Sequence, residues 1–258
     1  MSGSASFIVA IPARFGSSRL PGKPLLEIGG EPMLVHVARR AQAAGANQVV
    51  VATDDQRIVD ALRGTPVTVV MTRADHRSGS DRLAECADRL GWPDDTIVVN
   101  LQGDEPLAPP SGIRAVAAAL VDSDAQMATL ATPITDASEL FNPNCVKVLS
   151  STDGHALYFT RAPAPWARDA FADSQATLPA GVPFLRHIGI YAYRAGFLRR
   201  FARLTPTPLE LAESLEQLRA LEHGQRIAVR LAPEPFPGGV DTADDLERAR
   251  ALIGSTRV

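Results

Sequence analysis

The sequence predicts an α/β fold in which a mostly parallel central sheet is flanked by helices, with a smaller mixed-strand lobe in the second half. Two observations predict it. In the first half, short β-branched runs alternate with stretches of helical period, the signature of βαβ units. After residues 111–121 the strand-like runs follow one another closely, as they do in hairpins and mixed sheets. At 258 residues, 45% apolar and 21% charged, the chain is long enough for a single α/β domain, 1–258, with one large core.

Residues 7–13 are the first strand. Residues 31–44 are a helix, with Met33, Leu34, Val37, Ala38 and Ala41 on one face and Gly45 as its stop. Strands are predicted over 49–53, 67–72 and 97–102, separated by helices near 56–62 and 80–90, and residues 111–121 form another helix. Each of these strands runs into polar residues. In an open α/β sheet the ligand crevice lies beyond the carboxyl ends of the strands, so Arg14, Asp54, Arg73 and Asp104 are expected to point toward one site. The mixed strands are predicted over 128–134, 146–150, 156–160 and 188–193. A Pro-rich loop, 161–183, lies among them, and a connection of that length serves as a lid, a binding loop or an interface arm. One helical block over 208–223, a strand over 226–231 and a helix over 242–252 complete the chain.

A net charge of -3 excludes the basic footprint of a nucleic-acid-binding protein. No apolar run approaches the roughly 20 residues of a membrane-spanning helix. Residues 1–6 lack the basic and apolar regions of a secretory signal, and Cys86 and Cys145 are too far apart for a C-x-x-C site. A reducing cytoplasm is the expected compartment. The 26 basic residues comprise 24 arginines and only two lysines, Lys23 and Lys147, which directs attention to both.

Arg14-Phe-Gly-Ser-Ser-Arg-Leu-Pro-Gly-Lys23 follows the first strand directly and brings three cations, two glycines and two hydroxyls together. That composition suits a polyphosphate: glycines let backbone N–H groups approach phosphate oxygens, arginine offers a planar fork and lysine a compact charge. It is not a Walker A loop, because five residues separate Gly16 from Gly22 and Pro24 follows Lys23. Nor does a Gly-x-Gly-x-x-Gly fingerprint follow the strand. Asp104, at the exit of a long apolar strand, and Asp241, before the last helix, are the acids that the family resemblance described next assigns to Mg²⁺. Magnesium takes oxygen ligands and is commonly held by one or two carboxylates plus substrate phosphates. Asp241 also reads as a helix-capping acid, since Thr242-x-x-Asp245 resembles a capping box. Ser78 and Ser80 read as N-capping hydroxyls as well.

The order strand, R-x-G-S-x-R-L-P-G-K-P, amphipathic helix resembles the signature loop of sugar-activating nucleotidyltransferases. Further segments narrow the likeness: Met71-Thr-Arg-Ala-Asp-His-Arg-Ser-Gly-Ser-Asp-Arg82, Asn100-Leu-Gln-Gly-Asp-Glu-Pro106, Phe141-Asn-Pro-Asn144, Tyr158-Phe-Thr-Arg-Ala162, Arg186-His-Ile-Gly-Ile-Tyr191, Leu215-Glu-Gln-Leu-Arg219 and Gly239-Val-Asp-Thr242. Together they resemble the CMP-Kdo synthetases (3-deoxy-manno-octulosonate cytidylyltransferases) over nearly the whole chain. The resemblance implies a Rossmann-like nucleotide-diphospho-sugar transferase fold, with a CTP-binding half over 7–125 and a smaller sugar-binding and dimerisation lobe over 126–205. It implies a Mg²⁺-dependent reaction of CTP with Kdo that gives CMP-Kdo and pyrophosphate for lipopolysaccharide synthesis, carried out by a homodimer.

By position in these motifs, Lys23, Arg14, Asp104 and Asp241 are the implied catalytic residues, the two aspartates as metal ligands. Arg14, Ser17, Arg19, Lys23, Arg73, Ser78, Gly79 and Asp81 are the implied nucleotide-binding set. Gln102, Arg161, Arg168, His187, Glu216 and Gln217 are carried over for the sugar. Read without the motifs, Glu216 and Gln217 are a solvated pair on a helix with a Leu211, Leu215, Leu218 stripe, and His187 is a core histidine. Lys147 reads either as a surface lysine on an edge strand or as support for the sugar or metal side. The role of His76 stays open. A cytidylyltransferase for sialic acid or molybdopterin, and a non-catalytic nucleotide-binding module, are the alternatives in function.

Overall fold

The computed structural model describes residues 6–16 and 20–255, so the expectations for Ser17, Arg19 and the polar start 1–5 lie outside the described residues. At the centre is β1 (Ile8–Ala13), whose alternation divides its side chains between two apolar layers. Val9 and Ile11 face one layer and Ala10 the other, as the period of two requires. Both faces of the strand are therefore buried, which suits a parallel sheet covered by helices on each side.

After β1 come a 3₁₀ turn (Lys23–Leu25) and a two-residue hairpin, β2 (Glu27–Ile28) with β3 (Glu31–Pro32). The hairpin delays α1 (Met33–Ala43), which starts once Pro32 has fixed its entry. Next are β4 (Gln48–Thr53), α2 (Gln56–Ala61), β5 (Thr68–Met71), α3 (Gly79–Arg89), β6 (Ile97–Asn100) and α4 (Pro110–Val121). The second half contributes β7 (Met127–Pro133), α5 (Ala137–Phe141), β8 (Lys147–Ser150), β9 (Ala156–Thr160) and α6 (Arg168–Asp173). It ends with β10 (Leu185–Arg194), α7 (Ala195–Phe201), α8 (Pro208–Glu213), α9 (Gln217–Glu222), β11 (Ile227–Leu231) and α10 (Ala243–Ser255).

The main sheet has the order β11-β7-β10-β6-β1-β4-β5, with β8 and β9 branching from β10. The pairs β6–β1, β1–β4, β4–β5 and β7–β11 are parallel. Only β10 runs against its neighbours on this path, and it joins the parallel half to the mixed lobe. Helices α1 and α4 cover one face through Leu34, Val37, Ile113 and Leu120, while α3, α7 and α9 cover the other through Leu83, Phe201 and Leu218. Each such side chain contributes roughly 1.5–3 kcal/mol of transfer free energy when fully buried.

Three sequence expectations change. The block at 208–223 is not one helix: it breaks at Ser214, which is left-handed at φ 53, and α8 and α9 fold onto each other. The break serves an ion pair. Glu210 and Arg219 are nine positions apart, about 13.5 Å along a straight helix at ~1.5 Å per residue, yet Arg219 Nε donates to Glu210 Oε2 over 2.8 Å in a buried setting. Leu211 consequently leaves the expected stripe and is 69% exposed. Second, the Pro-rich loop contains α6, whose Phe171 packs with Ile134, Leu140, Cys145 and Phe184 in a small core of its own. Third, β8 lies between β9 and β10, so Lys147 is not on an edge.

Lys147 is wholly buried. Its ammonium donates to the carbonyls of Asn142 (3.0 Å), Cys145 (2.6 Å) and Arg161 (2.8 Å), which uses all three of its protons. Burial pulls its pKa downward. Replacing it with methionine strands three carbonyls, each costing about 1–3 kcal/mol when buried without a donor. Lys147→Met is therefore expected to destabilise the fold by about 3 kcal/mol, seen as a lower urea midpoint at unchanged m-value; a surface lysine would cost under ~0.5 kcal/mol.

Candidate active site

A cleft of about 290 Å³ opens at the carboxyl ends of β1 and β6. Its walls are the loop after β1 (Arg14, Gly16, Lys23), the segment leading into α3 (His76 to Ser78) with the first residue of that helix (Gly79), the exit of β6 (Gln102 to Asp104) and Asp241 ahead of α10. The convergence expected from strand polarity is therefore present for Arg14 and Asp104.

The loop after β1 is fixed at its base. Gly22 is left-handed at φ 69, and a Cβ there would stand 3.0 Å from the Phe15 ring, so the close approach needs glycine. The Gly22 N–H donates to the Phe15 carbonyl over 3.2 Å, and the Arg57 guanidinium sits 3.3 Å from the centre of the Phe15 ring. Lys23 emerges from this turn with its Nζ 2.5 Å from Asp104 Oδ2 and 3.0 Å from Asp241 Oδ1. Burial acts to lower the Lys23 pKa, but the two carboxylates outweigh it and the net shift is upward.

The acidic side is equally specified by backbone contacts. Val240 N–H donates to the Asp104 carbonyl over 2.8 Å, joining the two aspartate segments. A Cβ on Gly239 would lie 3.1 Å from both the Asp104 carbonyl and Glu105 Oε1, so glycine permits the approach. Capping of α10 falls to other residues: Asp245 Oδ2 accepts the N–H groups of Asp241 (3.1 Å) and Thr242 (2.8 Å). The Asp241 carboxylate is turned into the cleft instead, which decides against the capping role. Glu105 lies behind the pair, its Oε2 buried without a hydrogen-bond partner among the described residues. Burial, with Asp104 and Asp241 adding to it, pushes its pKa up to about 8.

On the opposite wall, Ser78 caps α3 by accepting the Asp81 N–H over 3.1 Å, and its hydroxyl meets Ser80 at 2.9 Å. Ser80 in turn donates to the Glu216 carboxylate at 2.7 and 2.8 Å to its two oxygens. Gly79 packs on Pro12, where a Cβ would be 3.0 Å from the proline ring. Asp81 and Arg73 do not line the cleft; Arg73 points outward to Asp75 at 3.1 Å. His76, Arg77 and Arg82 line it in their place. Arg82 is buried and held by Asp54 at 2.8 Å and by the Thr72 hydroxyl. His76 and the Arg73 N–H (3.0 Å) both bond to Glu85, a partner lying outside the cleft. Glu85 also pairs with Arg89 at 2.6 Å, and these partners overcome burial to hold its pKa below the usual range. Arg82 was legible as a charge at a core-facing helical position; Glu85 had no signal beyond helix phase.

Of the expected sugar residues, Gln102 lines the cleft and donates to Asn100 Oδ1 over 3.2 Å. Gln217 is not solvated surface, and Glu216 is half-buried. The break at Ser214 turns Gln217 inward: it is 4% exposed, and its Nε2 has no partner among the described residues. Burial raises the Glu216 pKa. Arg161 spends its Nε on the Glu213 carbonyl (2.7 Å) and its Nη1 on that of Pro143 (3.1 Å), while Lys147 holds its own carbonyl. His187 contacts Thr129 Oγ1 at 3.0 Å between Phe159 and Tyr191, and burial drives its pKa down to about 3, so the ring is neutral. Arg168 stands apart: its side chain is 94% exposed, with Asp169 4.0 Å away.

Glu85 is thus the anchor of the segment 73–78. In Glu85→Ala the Arg73 amide is expected to exchange with deuterium about tenfold faster or more, since a hydrogen bond to a charged group contributes roughly 1.5–3 kcal/mol, while β1 amides keep their protection.

Known proteins resemble this chain in sequence and in fold. The Cytidylyltransferase family matches residues 8–227. A 3-deoxy-manno-octulosonate cytidylyltransferase of Stenotrophomonas maltophilia (strain R551-3) is 63% identical over 248 residues, 96% of each chain. Its counterpart in Xanthomonas euvesicatoria pv. vesicatoria (strain 85-10) is 61% identical over 97% of each. Among solved structures, a CMP:2-keto-3-deoxy-manno-octonic acid synthetase complexed with CTP superposes with a TM-score of 0.87 at 42% identity, covering 97% of this chain and 99% of its own. The fold, the converging cleft and these likenesses agree: the chain belongs to the 3-deoxy-manno-octulosonate cytidylyltransferase family of nucleotidyltransferase enzymes.

Proposed function

We propose that this enzyme transfers the cytidylyl group of CTP to 3-deoxy-D-manno-octulosonate (Kdo), giving CMP-Kdo and pyrophosphate, and that it does so in the cytoplasm for lipopolysaccharide synthesis. The observation that carries the reading is the meeting of Lys23, Asp104 and Asp241 at one point of the cleft, beside the Ser78–Gly79 wall. The names of the relatives and the CTP complex of the solved one support it.

In this reading the triphosphate lies across the loop after β1, with Arg14 and Lys23 neutralising the β- and γ-phosphates. The anomeric oxygen of Kdo forms a bond to the α-phosphorus in line, the bond from that phosphorus to the bridging oxygen breaks, and pyrophosphate departs toward the same cations. The proton of the Kdo hydroxyl passes to solvent. Asp104 and Asp241 fit a magnesium ion by donor chemistry, being two hard carboxylates within 3.0 Å of a common cation, with no histidine or thiol among them. Bound there, Mg²⁺ supplies charge neutralisation on phosphate oxygens and acidifies the attacking hydroxyl.

Gln102 and the unpartnered Nε2 of Gln217 offer donors to sugar hydroxyls. Arg161 is assigned to the sugar carboxylate, its orientation held through Glu213, Pro143 and Lys147. Ser78 and Gly79 are assigned to the cytidine side. A homodimer belongs to the same reading, supported by the exposed apolar side chains of Leu157 and Trp166 in the mixed-strand lobe.

The test is pyrophosphate release with CTP and Kdo, run beside UTP and beside sialic acid. Release with CTP and Kdo only is expected; turnover with sialic acid instead would reassign the sugar, and none with any pair would favour a binding module. Asp104→Asn and Asp241→Asn should each lose at least about 10²-fold in kcat with an unchanged circular dichroism spectrum. Lys23→Arg should also slow turnover although it keeps the charge, because a guanidinium is wider than an ammonium. Full activity in any of the three removes that residue from the mechanism.

A further inference from the structure

The two positions assigned to Lys23, against phosphate oxygens and against the aspartates, exclude one another. Its Nζ has three protons, and two are committed to Asp104 Oδ2 and Asp241 Oδ1 at 2.5 and 3.0 Å. An atom that close to both oxygens stands where a cation ligated by both would stand, since magnesium–oxygen distances are roughly 2.0–2.1 Å. An ammonium and a divalent ion cannot occupy that point together. The backbone beneath Lys23 is fixed by the left-handed Gly22 and by Pro24, so exchange is left to the side-chain torsions.

Resting on the function proposed above, we propose that Lys23 is the resident counter-ion of the Asp104–Asp241 pair and keeps free divalent cations from it until a nucleotide arrives. Three observations carry the inference. The lysine is tethered 2.5–3.0 Å from its partners, so it competes at an effective concentration far above that of a dissolved ion. The two aspartates are like charges whose segments are held together by the Val240 N–H to Asp104 carbonyl bond, so a nearby cation lowers the repulsion between them. And Arg14 lines the same cleft as Lys23, so a triphosphate entering it meets both cations.

The nucleotide supplies what the free metal lacks. It gives the ammonium new anionic partners at the moment the carboxylates are released, so displacing Lys23 no longer strands a partly buried charge. Metal bound to triphosphate then enters as one unit, and metal alone faces an occupied site. Such a mechanism makes the metal affinity conditional on nucleotide, as a coupling between two ligands through one mobile side chain.

Manganese(II) serves as the probe, titrated into the full chain and followed by electron paramagnetic resonance, without nucleotide and with a non-hydrolysable α,β-methylene analogue of CTP. Without nucleotide, Lys23→Met is expected to bind Mn²⁺ at least about tenfold more tightly than the unmodified chain, and Asp104→Asn in that background to abolish the gain. With the analogue the unmodified chain is expected to bind Mn²⁺ at least about tenfold more tightly than without it. Lys23→Gln, which keeps a donor but no charge, should shift in the same direction and guards against a folding defect in the methionine variant. Equal or weaker Mn²⁺ affinity in both variants without nucleotide overturns the inference and leaves the metal reading standing. No Mn²⁺ binding in any of these proteins, with the analogue present, overturns both.

Discussion

The geometry of the cleft depends on one ammonium held between two carboxylates, one from the middle of the chain and one from near its end. Lys23 follows the first strand, Asp104 the sixth, and Asp241 precedes the last helix, yet all three meet within 3.0 Å. A like-charge pair of aspartates held this near costs free energy unless a cation lies between them. The contact therefore constrains three loops at once. Gly22 lets the lysine turn back under Phe15, and Gly239 lets the Asp241 segment press on the Asp104 carbonyl. Small residues are required wherever one backbone must approach another so closely.

A second chain of polar contacts joins the mixed-strand lobe to the cleft. Lys147 holds the Arg161 carbonyl, the Arg161 guanidinium and amide hold Glu213, and Glu213 ends α8 just before the left-handed Ser214. That turn delivers Glu216 to Ser80, whose hydroxyl meets Ser78 on the cleft wall. The Glu210–Arg219 pair braces the same bend from within. Buried charges are tolerated only when paired and fully hydrogen-bonded, so each link is costly to break singly and the series behaves as one unit. The scarcity of lysine in this chain sharpens the comparison: both lysines sit where a compact ammonium with three radial protons is wanted, one between carboxylates and one among carbonyls.

The sequence by itself determined the parallel half of the fold, because β-branched runs alternating with helical periods have one packing solution with both sheet faces buried. It also indicated which end of that sheet carries the cleft, since strand polarity puts Arg14, Asp54, Arg73 and Asp104 at the same end, and of these Arg14 and Asp104 line the cleft. The family motifs added Asp241, which lines the cleft, and implied Glu216 and Gln217 for the sugar, where periodicity alone pointed to a cap and a solvated surface.

Tertiary structure decided what local pattern cannot carry. Whether 208–223 is one helix or two turned on the Glu210–Arg219 pair and on Ser214, a balance between helical propagation and satisfying a buried charge. Lys147 looked like an edge residue until β8 was seen between β9 and β10, because strand order is a long-range property. Arg73 and Arg77 are indistinguishable by type and neighbourhood, and only the anchoring of the segment on Glu85 shows which one faces the cleft. The same holds for the central contact. Composition could single out Lys23, but its choice of Asp104 and Asp241 as partners follows from electrostatics between segments hundreds of ångströms of extended chain apart, which only the folded sheet brings together.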